Sequence, residues 1–173
     1  METIHIGPAP RLAVSFAGHG PLVLFLHGIR GNRRNWDRQV EEFSGHFQCA
    51  AWDARGYGDS EDYAGWLQFD HLIGDVLRVS EHFKAKRMHL VGLAMGGRIA
   101  RQVALRYPER LLSLTLVNTN PGFDALSAQE VRRFITERNN RIPDIAKRLV
   151  GPKARPGAIQ EVEHSLSLLR EQS

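Results

Sequence analysis

One cysteine stands among 173 residues, so no intrachain disulfide can form, and Cys49 lies in an apolar stretch that suits a buried, inert thiol. No apolar run nears the ~20 residues that a membrane-spanning helix needs, so no membrane partner is expected. The opening Met-Glu-Thr-Ile-His-Ile lacks the basic segment and following apolar stretch of a secretory leader. These lacks together predict a cytoplasmic protein. There is no internal repeat and no low-complexity tract, which removes solenoids and linker-like chains. The basic excess is a formal +4, with Lys and Arg interspersed among Asp and Glu, which argues against a nucleic-acid partner. The densest basic group, Arg30, Arg33, Arg34 and Arg38, reads as solvated surface. What remains is ordinary: 42% hydrophobic and 24% charged residues, enough for one domain-sized core.

Apolar periodicity supplies the architecture. Strands are expected at Glu2 to Ile6 and Arg11 to Ala17, with Gly18-His19-Gly20 turning the chain into a third, Pro21 to Leu26. That run is apolar throughout, the mark of a strand buried on both faces. Trp36, Val40, Phe43 and Phe47 then recur at helical spacing, and Phe47 to Trp52 reads as a fourth strand. A helix is expected near Phe69 to Phe83, with Ile73, Val76, Leu77 and Phe83 inward. Another follows residue 94, burying Ile99, Val103 and Tyr107 before Pro108 stops it. Leu111 to Val117 closes the series as a strand. Such alternation predicts an α/β fold with a mainly parallel sheet covered by helices on both faces, and with residues 22–26 and 88–93 as neighbouring parallel strands.

The chemistry turns on a missing side chain. Met88-His89-Leu90-Val91-Gly92-Leu93-Ala94-Met95-Gly96-Gly97-Arg98-Ile99-Ala100 reads as strand, tight turn and helix, the frame of a nucleophile elbow, G-x-S-x-G. Alanine stands where the serine belongs, and a methyl group cannot attack a carbonyl. Gly92 and Gly96 fit the sharp turn, and Gly97 lets the helix pack closely.

Three motifs in order carry a resemblance. His27-Gly28-Ile29 follows the third strand; Asp53-Ala54-Arg55-Gly56-Tyr57-Gly58-Asp59-Ser60 follows the fourth; the elbow follows the fifth. Together they resemble the α/β-hydrolase superfamily. The elbow surroundings, with Val117-Asn118-Thr119-Asn120-Pro121-Gly122-Phe123-Asp124, look like serine members of the 3-oxoadipate enol-lactonase kind. The carbon–carbon bond hydrolases share much of the same frame. The resemblance implies a core over 1–121 and the start of a helical cap over 122–173, where Ser127 to Glu130 forms a capping box ahead of Val131, Phe134 and Ile135. Further helices are expected after Pro143 and from about Pro156, and the chain then ends within that cap.

The resemblance also implies roles. The backbone N–H groups of Ile29 and Met95 would form the oxyanion hole, with Ala94 at the nucleophile position. His27 would prop the oxyanion loop, while Asp53, Arg55 and Asp59 would form a structural ion pair and turn. Arg30 could meet an anionic substrate, Trp36 could line a pocket or lie in the core, and Asn118 ends the sixth strand near the site. Asn118 and Asn120 are amides and cannot replace a triad acid; the resemblance puts that acid on a seventh strand outside this chain, with Asp124 the lesser alternative. The other histidines do not suit a catalytic base, since His5, His19, His46, His71, His82 and His89 precede the elbow and His164 falls on a polar helix face. No cofactor and no metal are implied. The expected function is a hydrolase of a small ester, enol-lactone or related carbonyl substrate in an inactive form. The alternative is a non-catalytic relative that binds a ligand or partner. The final expectation is that the sheet edge at Leu111 to Val117 is covered, by a second copy through self-association or by a missing C-terminal segment.

Overall fold

Strand alternation decides how the core divides. In the computed structural model, which describes residues 1–120 and 127–140, six strands form one sheet in the order β1-β2-β4-β3-β5-β6. The strands are β1 (Glu2–Ile6), β2 (Leu12–Ala17), β3 (Leu22–Leu26), β4 (Gln48–Trp52), β5 (Met88–Leu93) and β6 (Leu111–Val117). β1 and β2 pair antiparallel, as do β2 and β4; all later neighbours are parallel. β3 and β5 run side by side, Leu22 opposite Met88 and Leu26 opposite Gly92. Successive strand residues face opposite ways, so Leu22, Leu24, Leu26, Ala50 and Trp52 enter one apolar cluster. Val23, Phe25, Cys49 and Ala51 enter the other.

Helices cover the two faces. The first cluster takes in α2 (Phe69–His82), through Leu72, Ile73, Val76 and Val79, and α3 (Met95–Arg106), through Ile99, Ala100 and Val103. The second cluster takes in Trp36 and Val40 from a 3-10 turn (Arg33–Trp36) and α1 (Asp37–Phe43). Several sequence expectations change here. α1 stops at Phe43, because residues 44–47 turn back to start β4; Phe47 therefore packs from the strand entry and not from a helix face. On α2 the buried stripe includes Leu72 and Val79, while Leu77 and Phe83 lie at its margin. Tyr107 caps α3 and is 36% exposed.

Among the described residues β1 and β6 are the edge strands, and Leu112, Leu114 and Leu116 are exposed on β6. The chain forms two compact units, Met1–Pro121 and Gly122–Ser173. In the second, α4 (Ala128–Asn140) opens with Ser127 and Glu130 bonded reciprocally: the Glu130 carboxylate accepts from the Ser127 N–H at 2.8 Å, and Ser127 Oγ from the Glu130 N–H at 3.3 Å. The side chains of Phe134 and Ile135, the helices expected after Pro143 and Pro156, Asp124 and His164 lie outside the described residues. No described helix is long and apolar enough to cross a membrane.

Candidate active site

Ala94 joins β5 to α3 with one residue. Its backbone sits at φ +49°, ψ −106°, a conformation that a residue with a Cβ rarely adopts. Strand and helix hold it there. Its N–H donates to the Val117 carbonyl at 3.0 Å, extending the β5–β6 ladder, and its carbonyl accepts the Arg98 N–H at 3.1 Å, the opening bond of the helix. The surrounding glycines are required by contact. A Cβ on Gly92 would strike the Gly96 carbonyl, and one on Gly96 the carbonyls of Leu26 and His27. One on Gly97 would strike the Thr119 hydroxyl. The N–H groups of Met95, Gly96 and Gly97 open α3 and have no acceptor within it, so the positive end of the helix lies beside Ala94.

The loop after β3 packs against this turn. A Cβ on Gly28 would lie 3.3 Å from that of Ala94 and 3.3 Å from the Leu93 carbonyl. The Gly28 carbonyl accepts two bonds, from His27 Nδ1 at 2.8 Å and from the Gly31 N–H at 3.0 Å. In a trans peptide the C=O and the following N–H point oppositely, so these bonds aim the Ile29 N–H away from the His27 ring. His27 itself is fully buried, and its Nε2 accepts the Ala54 N–H at 3.0 Å. A backbone amide can only donate, so Nε2 carries no proton and Nδ1 holds it. Burial lowers the His27 pKa, outweighing the Gly28 bond and the field of Asp53. Both ring nitrogens are engaged, and the imidazole acts as a neutral prop. The Tyr57 ring packs on it at 5.0 Å, and the Tyr57 hydroxyl, its pKa raised by burial, reaches Met95 Sδ at 3.7 Å.

Other residues singled out in the sequence fall into place unequally. Ile29 exposes 55% of its surface; Arg30 is exposed at φ +62°. Asn118 is exposed at φ +47°, directly after the carbonyl that holds Ala94. Trp36 is core: 7% exposed, with its ring 5.2 Å from that of Phe25. No three described His, Cys, Asp or Glu side chains could share a metal ion.

A family model for the alpha/beta hydrolase fold matches residues 21–173. The chain belongs to the alpha/beta hydrolase family. Among the relatives of this hydrolase-fold chain is the fluoroacetate dehalogenase of a Burkholderia species, 32% identical over 68% of this chain and 40% of that protein. 3-Oxoadipate enol-lactonase 2 of Acinetobacter baylyi is 25% identical over 88% and 58%. A thermophilic esterase of Thermogutta terrifontis, solved with malate bound, superposes with a TM-score of 0.65 at 27% identity, covering 95% of this chain and 66% of that one. The chain thus spans between 28% and 58% of the length of the first curated relatives it matches. These names span different reactions, so the family is shared and the substrate is not.

One residue of this alpha/beta hydrolase chain was misread from the sequence. Arg33, expected on the solvated surface, is 8% exposed. It pairs with the fully buried Asp53 and with Asp59, its Nη2 2.6 Å from Asp59 Oδ2, and donates from Nε to Ser15 Oγ at 2.9 Å. Burial opposes the Arg33 charge, yet Asp59 and Asp53 outweigh it and raise its pKa. The hydrogen bond and charge of Arg33 hold the Asp59 carboxyl below its ordinary value. Arg55, the expected partner within its own motif, instead pairs with Asp75 of α2 at 2.7 Å. The signal for Arg33 was its place one turn after His-Gly, which a charge count could not register.

Proposed function

We propose that this chain is part of a serine-type hydrolase of a small ester, enol-lactone or related carbonyl substrate, held inactive by Ala94. The observation that carries the reading is the positive φ at Ala94. A backbone strained by about 1–3 kcal/mol persists only where the surroundings over-determine it, and this one would present a side chain between a strand end and a helix N-terminus. The N–H groups of Ile29 and Met95 are the oxyanion donors in this reading, and Arg30 is the cation that meets an anionic substituent of the substrate. The exposed edge of β6 is then closed in the working protein, by more polypeptide or by a second copy. The second reading, a non-catalytic relative that binds a ligand, is favoured by one observation: the methyl of Ala94 itself.

Ala94→Ser in the whole protein separates the two. Hydrolysis of activated small esters and enol-lactones at a rate well above the parent supports the first reading. No gain across such a panel supports the second.

A further inference from the structure

The loop that carries Ile29 is fastened at both ends to two consecutive residues. At its start, His27 Nε2 accepts the Ala54 N–H at 3.0 Å. At its end, the Arg33 N–H donates to Asp53 Oδ1 at 2.6 Å, while the Arg33 guanidinium pairs with Asp53 Oδ2. Asp53 is itself locked, since its Oδ2 accepts the Asp59 N–H at 2.9 Å and its carbonyl accepts Ser60 Oγ at 2.7 Å. The guanidinium spreads over three partners, Ser15 on β2, Asp53 after β4, and Asp59 in the next turn. An ion pair this buried is weak evidence of added stability, because both charges leave water to form it. Its directional bonds do something a hydrophobic pair would not. They fix where residues 28–32 lie relative to the end of β4.

We infer that Arg33 is a positioning residue for the oxyanion donor: its bonds to Asp53 set the loop that points the Ile29 N–H, acting through the Gly28 carbonyl. This rests on the reading of Ile29 as a donor, and Arg33 touches no substrate. If the Arg33 guanidinium is lost, the buried Asp53 carboxylate loses its counter-charge and its bond at Oδ2, and the far end of the loop is held only by the N–H of residue 33 on Oδ1. Gly31, whose N–H holds the Gly28 carbonyl at 3.0 Å, then loosens, and the Gly28–Ile29 peptide can rotate. His27 alone restrains one side of that carbonyl.

Two readouts on Arg33→Met and Arg33→Lys test this. In the protein with Ala94 unchanged, amide hydrogen exchange at Gly31 should quicken about tenfold or more in R33M, while Leu90 in the centre of the sheet keeps its parent rate. R33K, which keeps the charge without the three-way fork, should fall between. In the Ala94→Ser background, kcat should drop about tenfold or more with KM little changed, since a displaced donor is felt most in the transition state. Unchanged Gly31 exchange in a folded R33M overturns the inference, as does a rise shared equally by Leu90. If R33M does not fold, R33K decides by the same comparison. Ala94→Ser that gains no activity defeats the hydrolase reading alone, and Gly31 exchange still judges the clamp.

Discussion

Replacing Ala94 by glycine should stabilise the protein, and the same replacement at Ala104 should destabilise it. Ala94 sits at φ +49°, where a Cβ costs about 1–3 kcal/mol that glycine does not incur. Against this, glycine gives the unfolded chain more freedom, worth about 0.4–1 kcal/mol. The half-buried methyl also forfeits about 0.4 kcal/mol of burial. The balance is a gain of about 1 kcal/mol. Ala104 lies inside α3, half-buried and regular, so A104G removes a good helix former and a methyl for a loss of about 1–1.5 kcal/mol. Two chemically identical changes should therefore move stability in opposite directions, about 2 kcal/mol apart. At roughly 2–4 °C per kcal/mol for a chain of this size, the melting temperatures should differ by about 4–8 °C. Thermal and urea melts of both variants beside the parent supply the comparison. Equal losses at the two sites would refute the strain at residue 94.

The propping imidazole makes stability depend on pH. His27 has a pKa below its ordinary 6.5, so the unfolded chain binds a proton that the folded one does not, and stability present above about pH 6.5 is lost as pH falls below it. His27→Gln should flatten that part of the melting-temperature profile; an unchanged slope between about pH 7 and 5 would show that another group is responsible. At the sheet edge, Leu114→Lys should discourage pairing of β6 with a second copy and lower the mass seen by light scattering. A parent that is already monomeric would remove self-association from the proposal.

Much of the fold could be read from the chain because its strands are short, apolar and separated by turn residues. β3 was legible as a doubly buried strand, and the neighbouring parallel pair of β3 and β5 followed from alternation of strands with helices. The reading failed where sequence period and chain direction part company. Phe47 continues the spacing of Trp36, Val40 and Phe43, yet the helix has ended at Phe43; a spacing rule cannot see a turn that starts the next strand. Elbow geometry was legible at Gly92, Gly96 and Gly97 since each glycine answers a steric need that its neighbours announce. The ion pairing was not, because Asp53 finds its partner in Arg33, across the sheet end, while Arg55 two residues away turns to α2. Polar partners are chosen in three dimensions, and only local ones, such as Ser127 with Glu130, are written in the spacing.

The glycines at 92, 96 and 97 have an effect on how this scaffold can change. Gly92 and Gly96 make room for backbone and Gly97 chiefly for the Thr119 side chain, and none of their nearest approaches involves the side chain at position 94. The turn is therefore enforced by neighbours that are indifferent to whether residue 94 ends in a methyl or a hydroxyl. Architecture and reactivity are encoded by separate letters here. In the proposed reading a single codon would silence or restore the chemistry while the fold kept no record of the change, and resemblance of shape would be a poor witness to activity.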